Sequence, residues 1–397
     1  MIFSLGKRMF TSVDFRLLWK FSYNLGWKAM QAISKYKKRL KKGELFPAFL
    51  MISVTNQCNL SCQGCWVSID NKSSGMSPEI LNNIINSSKR KGSYFFGILG
   101  GEPIMYPHLL DVFAQHPDCY FQLFTNGTLI TDEIALKLRK LGNVSPLISI
   151  EGLADVSDVR RGAKSVYNRS LNGIEACINN KLITGTATSV CKSNFKELVS
   201  EDFVNQCIKR GVHYLWYYIF RPVGANPSTE LALSEDEILE LRKFIVDIRQ
   251  KAPIVIIDTY WDDKGKALCP GAVGISHHIN TQGDIEFCPP IQFALDNAGT
   301  GEALVETIEN SVFLKTLRTE IPVITQGCIL LDEPNALDNL MNRLQAYDSS
   351  SRNAAFDELQ KMNKLPGHHI QGEEIPEKSW MYRFAKKNWF FGFGAYG

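Results

Sequence analysis

The sequence lacks any run of about 18 or more apolar residues, so it predicts no membrane-spanning helix. It also lacks a secretory signal, because Asp14, Arg16 and Lys20 interrupt the apolar residues near the N-terminus. Neither sign of charge is in large excess, and a formal net charge of +3 argues against a nucleic-acid-binding protein. These absences predict a cytoplasmic protein with no nucleic-acid partner.

Disulfide bonds are not expected either, although the chain has ten cysteines. In a long cytoplasmic chain, cysteines are more often metal ligands, reactive groups or buried thiols. Four of them fall within predicted strands or helices and are expected in the core: Cys119, Cys177, Cys191 and Cys207. The other six form two groups that are candidates for metal binding.

Apolar, strand-like runs alternate with helix-like segments from about Phe46 to Phe220. Six such units predict an α/β fold with a parallel sheet covered by helices. They are too few for a complete eightfold barrel, and the pattern alone allows a doubly wound sheet or an open partial barrel. In either fold, we expect the chemistry at the carboxyl ends of the strands.

The remaining segments differ in charge and pattern. Residues 1–42 hold eleven Lys and Arg against one acid, Asp14. Ser234 begins a capping box, followed by a predicted helix over 235–250. We therefore divide the chain into a basic amphipathic N-terminal helix (1–46), a catalytic core (47–250), a smaller cysteine-bearing domain (251–334) and a helical, aromatic-ended tail (335–397).

The first cysteine group is Cys58-x3-Cys62-x2-Cys65, on the loop after the first predicted strand. Three thiolates within eight residues can face one point and suit a soft metal. On a four-iron cluster they leave one iron open to another ligand. A structural zinc site needs a fourth close ligand, which the nearby sequence lacks, so a zinc knuckle or ordinary loop thiols are the weaker alternatives.

These cysteines resemble the CxxxCxxC signature of the radical SAM superfamily. The resemblance extends over about residues 48–225 through motifs at successive strand ends: Gly100-Gly101-Glu102-Pro103, Thr125-Asn126-Gly127, Ser149-Ile150-Glu151-Gly152 and Arg161-Gly162. It implies a partial (β/α)6 barrel as the core over 47–250. It also implies a [4Fe–4S] cluster, reductive cleavage of S-adenosylmethionine (SAM) to a 5′-deoxyadenosyl radical, and an electron donor such as flavodoxin or ferredoxin.

The resemblance also assigns roles to residues outside the cysteine loop. Gly100 and Gly101 would let the backbone approach the methionyl amino group, and Glu102 would complete that cofactor-binding loop. Ser149 and Arg161 are candidates for binding the methionyl carboxylate, and Glu151 for the ribose hydroxyls. The plainer alternatives are that Ser149 only ends a strand and that Arg161 pairs with Asp158.

One position departs from the superfamily pattern. The residue before the third cysteine is commonly aromatic and packs on adenine, whereas here it is Gly64. Trp66 or Tyr218 is expected to take over that contact.

The second cysteine group has the form Cys269-x13-Gly283-x4-Cys288, with Cys328 further along. This spacing resembles the opening of SPASM and twitch extensions, and three cysteines fit the shorter, twitch-like version with one auxiliary [4Fe–4S] cluster. His277 and His278 lie between the first two cysteines and are candidates for a ligand, a proton carrier or a substrate contact. The alternative is three unrelated buried cysteines and two structural histidines.

Three functions follow from these expectations. The first is a radical SAM enzyme that modifies an unidentified small molecule or lipid, the second is a peptide or protein maturase, and the third is a non-catalytic iron–sulfur protein. The lipid alternative rests on the basic, aromatic stretches Val13–Lys42 and Trp380–Tyr396, which predict a peripheral membrane contact. Alternatively, these stretches pack on the catalytic domain and close its open side.

Overall fold

The computed structural model describes residues 2–73, 75–225 and 227–389. The chain begins with three α-helices and an intervening π-helical turn rather than one uniform helix. Their bounds are α1 (Ile2–Ser12), α2 (Phe15–Lys20), the π-helical segment Phe21–Trp27, and α3 (Lys28–Lys41).

Strands and helices then alternate as the sequence predicts. In chain order the elements are β1 (Phe49–Thr55), α4 (Pro78–Arg90), β2 (Phe95–Gly100), α5 (Leu109–Gln115), β3 (Tyr120–Thr125), α6 (Asp132–Leu141), β4 (Val144–Ser149), α7 (Ala154–Arg161), α8 (Val166–Asn179), β5 (Gly185–Val190), α9 (Phe195–Leu198), α10 (Glu201–Lys209), β6 (Tyr214–Ile219), α11 (Glu235–Lys251) and β7 (Val255–Ile257). Short 3₁₀ turns occur at Pro103–Met105 and Thr229–Leu231.

The C-terminal third consists of short strands and helices. They are α12 (Pro270–Val273), β8 (Ser276–Ile279), β9 (Asp284–Cys288), β10 (Ile291–Asn297), α13 (Leu304–Asn310), α14 (Val312–Ile324), α15 (Ile329–Asp332), α16 (Pro334–Leu344), β11 (Tyr347–Asp348), α17 (Ala355–Gln360) and α18 (Trp380–Asn388). Residues 390–397, the end of the predicted aromatic tail, lie outside the described residues.

One sheet joins the core to the C-terminal third, in the order β11-β10-β9-β8-β1-β2-β3-β4-β5-β6-β7. Strands β1 to β7 pair in parallel, so the parallel core has seven strands where the sequence predicted six units. Strand β8 adds in parallel to the other edge of β1, and β9 and β10 continue antiparallel. The boundary expected at residue 250 therefore falls in the last turn of α11, just before β7 of the same continuous sheet.

Helix ends follow local sequence signals with one exception. Thr131 accepts a hydrogen bond from the Ile134 amide, and Gly142 ends α6 in the left-handed conformation. Ser234 and Glu237 form the predicted capping box of α11. Helix α4 begins at Pro78 as expected, but the Ser77 hydroxyl makes no capping bond to it.

The N-terminal helices pack beneath the amino ends of the core strands. Their cations donate to carbonyls that lie just before β2, β3 and β4: Arg39 to Lys91 O (2.8 Å), Lys28 to Asp118 O (2.7 Å) and Lys20 to Leu141 O (2.7 Å). A cation near the last carbonyls of a helix is favourable because that end carries partial negative charge. Much of the basic charge predicted for residues 1–46 is thus used within the fold.

Five buried ionic groups hold the C-terminal tail against α11 and β7. Asp258 and Glu377 contact three buried cations, Arg242, Arg249 and Lys386. Burial raises the pKa of the Asp258 carboxyl, but the nearby cations outweigh this effect and the net pKa is lowered. The tail over 335–389 is therefore built into the catalytic body. None of the helices in the described part of the chain combines the length and apolarity needed to cross a membrane.

Candidate active site

A cavity of about 420 Å³ lies at the carboxyl ends of the core strands. Its lining includes the ends of β2, β4, β5 and β6 together with the loop after β1. All six cysteines of the two predicted groups line this cavity: Cys58, Cys62, Cys65, Cys269, Cys288 and Cys328. The sequence predicted two groups, and the fold brings them to one chamber.

Two of the first three thiols are costly to ionise on their own. Burial, with a smaller contribution from the neighbouring Cys62, raises the pKa of Cys58 to about 11 and of Cys65 to about 12. Arg161 lies against them, with its Nη1 atom 3.5 Å from Cys62 Sγ. Burial lowers the pKa of Arg161, but Cys62 and Glu151 outweigh burial, so the net pKa is raised and the guanidinium stays charged. The positive charge of Arg161 can therefore balance the negative charge of deprotonated cysteines.

In neither cysteine group do all three Sγ atoms lie as close together as the ligands of a single zinc ion. Four thiolates around zinc lie about 3.8 Å apart, given a Zn–S distance of 2.3 Å and tetrahedral geometry. Among the described residues, the only set of three or more His, Cys, Asp or Glu ligand atoms all within 4.8 Å of one another is His116, Asp118 and Cys119. There the Lys89 ammonium already contacts His116 and Asp118, at 3.0 and 2.7 Å. The three Sγ atoms of each cavity group are therefore not all within 4.8 Å of one another.

The glycine loop after β2 packs against the cysteine loop. The Gly101 and Glu102 amides donate to Thr55 O (2.8 Å) and Gln57 O (2.7 Å). A Cβ atom at Gly100 would lie 2.3 Å from Thr55 O, and one at Gly101 would lie 2.2 Å from Gln57 O. These glycines are therefore needed for the contact with the chain after β1, a reason that the sequence alone did not give.

Glu102 is fully buried within this loop. Its carboxylate accepts hydrogen bonds from the Thr125 hydroxyl (2.7 Å) and from the Asn126 and Ile104 amides (2.7 and 3.1 Å). Glu102 thereby ties the ends of β2 and β3 together.

Arg161 and Glu151 form an ion pair at the wall of the cavity. Arg161 Nη2 lies 3.0 Å from Glu151 Oε1, and the Ser189 amide donates to Glu151 Oε2 at 3.0 Å. The predicted alternative, a pair between Arg161 and Asp158, is wrong, because Asp158 accepts instead from the Ser165 and Tyr167 amides. The Nε atom of Arg161 is buried without a hydrogen-bond partner. Ser149 also lines the cavity.

The space beside Gly64 is filled by an aromatic ring from another strand. A Cβ atom on Gly64 would lie 2.4 Å from the ring of Phe220, which follows β6. The Arg160 guanidinium lies 4.7 Å from the centroid of the same ring, which places a positive charge beside it. The two residues that the sequence suggested also line the cavity, where Trp66 packs edge-on against His278 and Tyr218 stacks on Trp216.

The second cysteine group is held by three separate elements. Cys269 precedes α12, Cys288 ends β9, and Cys328 precedes α15. Burial, with a smaller contribution from the neighbouring Cys328, raises the pKa of Cys269 to about 11. The Nε atom of Arg221 lies 3.1 Å from Cys328 Sγ. Each cysteine group thus has one partly buried arginine at its side.

The predicted histidine pair divides into two environments. His278 is bonded at both ring nitrogens, to Glu286 (2.5 Å) and to Ser53 (2.8 Å), so it has no nitrogen left for a ligand. His277 contacts Phe287 O through Nδ1, and its Nε2 atom is buried without a partner. Burial lowers the pKa of His277 to about 3, with Arg318 lowering it further, so this ring is neutral at physiological pH.

Sequence reasoning missed three residues that line the cavity: Phe220, Arg221 and His368. The first two follow β6 directly, so their position at a strand end was a usable signal. His368 comes from the tail, where it contacts Leu268 O at 3.0 Å and packs against Tyr260. No local pattern connects it to the site.

Comparison with known proteins agrees with this arrangement. Residues 52–199 match the model of the radical SAM superfamily. The chain is 28% identical over 225 residues to the Fe-coproporphyrin III synthase of Methanosarcina barkeri, covering 53% of this chain and 55% of that protein. It is 30% identical over 182 residues to the sporulation killing factor maturation protein SkfB of Bacillus subtilis, covering 44% of this chain and 42% of that protein. Residues 52–199 are therefore similar to the radical SAM superfamily, and the chain is an enzyme.

The fold has a close solved counterpart. The structure of Streptococcus suis SuiB bound to S-adenosylmethionine superposes with a TM-score of 0.61 at 18% identity, covering 71% of this chain and 70% of SuiB. This likeness establishes the mixed α/β fold with a parallel sheet. Because the chain spans only about half the length of the first two curated relatives described, their reactions are not transferred to it.

Proposed function

We propose that this enzyme reductively cleaves S-adenosylmethionine at a [4Fe–4S] cluster held by Cys58, Cys62 and Cys65, and uses the product radical to modify a small molecule or lipid. The observation that carries the proposal is the meeting in one cavity of both cysteine groups, the Glu151–Arg161 pair, and the unpaired buried nitrogens of Arg161 (Nε) and His277 (Nε2). The electron would come from a donor such as flavodoxin or ferredoxin.

The residues present fit the cluster. Three thiols on one loop can hold three irons, and the Arg161 charge offsets their deprotonation. When bound and reduced, the cluster supplies the one electron that splits the sulfonium C–S bond, giving methionine and a 5′-deoxyadenosyl radical. That radical then takes a hydrogen atom from the substrate or adds to it.

The residues around the cluster would bind and orient SAM. The unpaired Nε of Arg161 is a donor for the methionyl carboxylate, and Ser149 lies on the same cavity wall. The Ser189 amide and Arg161 fix the Glu151 carboxylate, which keeps free lone pairs for the ribose hydroxyls. Gly100, Gly101 and Glu102 would act by positioning, because their contacts hold the cysteine loop against β2 and β3.

For adenine, we assign Phe220 as the aromatic contact in place of Trp66 or Tyr218. Its ring lies beside Gly64, where other members of the superfamily carry an aromatic residue.

An auxiliary [4Fe–4S] cluster held by Cys269, Cys288 and Cys328 completes the proposal. Its support is that all three cysteines line the same cavity and that the Arg221 guanidinium contacts Cys328. A substrate in this chamber would lie between the SAM-binding cluster and the auxiliary one. The segment 251–334 would then act as the twitch-like extension that the sequence resembles.

The character of the lining favours a small or lipid substrate. Apolar and aromatic side chains form much of the inner wall, including Met51, Leu99, Phe124, Trp216 and Tyr218. These five side chains offer few hydrogen-bond partners to a peptide backbone. The alternative, a peptide maturase, keeps support from the 30% identity to SkfB. Because the chain is an enzyme, the non-catalytic iron–sulfur protein is set aside.

The first prediction concerns the SAM-binding cluster. Replacing Cys58, Cys62 and Cys65 together by Ala should abolish 5′-deoxyadenosine formation by reduced, anaerobically reconstituted protein, because the open iron is lost with its ligands. The matched control replaces Cys119, Cys177 and Cys207 by Ala, three buried thiols that do not line the cavity. The control should retain activity in a chromatographic assay, and undiminished product from the first variant would end the proposal.

The second prediction concerns the auxiliary cluster. Wild-type protein should hold about eight irons, and the Cys269/Cys288/Cys328→Ala variant about four, if each cluster is a four-iron cube. The variant should still cleave SAM, since the first cluster is intact. Equal iron in the two proteins, measured by colorimetric assay, would make these three cysteines structural.

The third prediction tests the adenine contact. Replacing Phe220 by Leu removes a stacked ring, and we expect SAM affinity to fall about tenfold. The same change at Trp66 or Tyr218 should have a much smaller effect. Equilibrium binding of SAM to protein with full iron content is the measurement, and a larger loss at Trp66 or Tyr218 than at Phe220 would reverse the assignment.

A further inference from the structure

One face of the N-terminal helices packs against the core, and the other face is exposed to solvent. The buried face lies beneath the sheet and includes Leu17, Leu25, Ala29, Ile33 and Tyr36. On the opposite side, Phe15, Trp19, Tyr23 and Trp27 form an aromatic stripe, with Trp19 67% exposed and Phe15 74% exposed. Packing against the core therefore accounts for the buried apolar residues of these helices but not for the exposed aromatic ones.

The aromatic stripe runs straight because of the π-helical segment. Residues four apart drift slowly around an α-helix, which has 3.6 residues per turn. A π turn contains more residues, so the segment Phe21–Trp27 offsets that drift and keeps the four rings on one side. Two more exposed rings, Phe3 and Phe10, lie on α1.

The same solvent side becomes basic further along α3. Lys35, Lys38, Lys41 and Lys42 are exposed and form a lysine cluster. The two acids among residues 2–48, Asp14 and Glu44, are paired with Arg139 and Lys91. Lys37 lies beside this cluster, and its ammonium donates a hydrogen bond to Lys387 O at 3.0 Å.

We propose that the aromatic stripe and the lysine cluster dock the enzyme on an anionic lipid bilayer. Aromatic rings suit the interface between lipid head groups and acyl chains, and lysines suit anionic head groups. A second copy of the chain is a poorer occupant, since a symmetric contact would bring one lysine cluster against another.

The docked orientation follows from the fold. The N-terminal helices lie at the amino ends of the strands, as the contacts of Arg39, Lys28 and Lys20 show, whereas the reaction cavity lies at the carboxyl ends. The cavity would face away from the bilayer that the helices touch. Docking would thus localise the enzyme and would not feed lipid directly into the site. The expectation that these segments close the open side of the catalytic domain is wrong for the N-terminal helices, because they pack at the end opposite the cysteines.

The test is co-sedimentation of the full-length protein with vesicles. It should bind vesicles of phosphatidylcholine with phosphatidylglycerol at low salt, bind phosphatidylcholine alone more weakly, and be released as salt rises. Replacing Trp19 and Trp27 by Ser should weaken binding about tenfold or more. Replacing Lys38, Lys41 and Lys42 by Gln should weaken it roughly fivefold per lysine.

Two matched controls exclude general surface effects. Val312→Ser with Val323→Ser removes exposed apolar groups from α14, and Lys243, Lys315 and Lys361→Gln removes three exposed lysines elsewhere. Both controls should bind as wild type, and every variant should keep wild-type iron content and melting temperature. Should the tryptophan variant fail to fold, the lysine variant decides the question by itself.

Three results would overturn the proposal. The first is wild-type protein that stays in the supernatant with both kinds of vesicle. The second is folded tryptophan and lysine variants that bind as tightly as wild type. The third is a dimer in solution that the tryptophan change dissociates, since the occupant of the aromatic stripe is then a second copy.

Discussion

The site depends on compensating charge in a buried chamber. Six thiols line one cavity, and burial raises the pKa of Cys58, Cys65, Cys269 and Cys288, so their deprotonation needs nearby positive charge. Arg161 at Cys62 and Arg221 at Cys328 supply it. Arg161 ends α7, the helix after β4, and Arg221 follows β6, so both charges lie at the carboxyl ends of the strands, where the cysteines are. Glu151 and Glu102 then fix the surroundings, one by holding Arg161 and the other by joining two strand ends.

Much of this could be predicted from the sequence, because the informative residues lie in short motifs at strand ends. The cysteine spacings, the two glycines and the Ser149-to-Arg161 segment all lie where expected. The physical role of Gly100 and Gly101 could not be predicted, since it depends on how closely the loop after β1 approaches. The ring of Phe220, which follows β6, lies beside Gly64 although the two residues are about 150 positions apart in the sequence. No rule based on residue spacing predicts such a contact. His368 reaches the cavity only through the packing of the tail.

The composition of the N-terminal segment does not show which of its basic residues stay exposed. Eleven basic residues in 1–42 suggested a surface for anionic lipid, but several of those cations instead bind carbonyls beneath the sheet. What remains for a partner is a narrower surface of four rings and four lysines, at the far end of the molecule from the chemistry. Location and substrate are therefore separate questions for this enzyme, and a membrane contact would not by itself argue for a lipid substrate.

The central claim is that two iron–sulfur clusters share one cavity. Anomalous diffraction at the iron edge, from crystals of the reconstituted protein grown without oxygen, tests it most directly. The account predicts two separate iron peaks, one beside Cys58, Cys62 and Cys65 and the other beside Cys269, Cys288 and Cys328. A single peak, or iron bound away from either cysteine group, would contradict it.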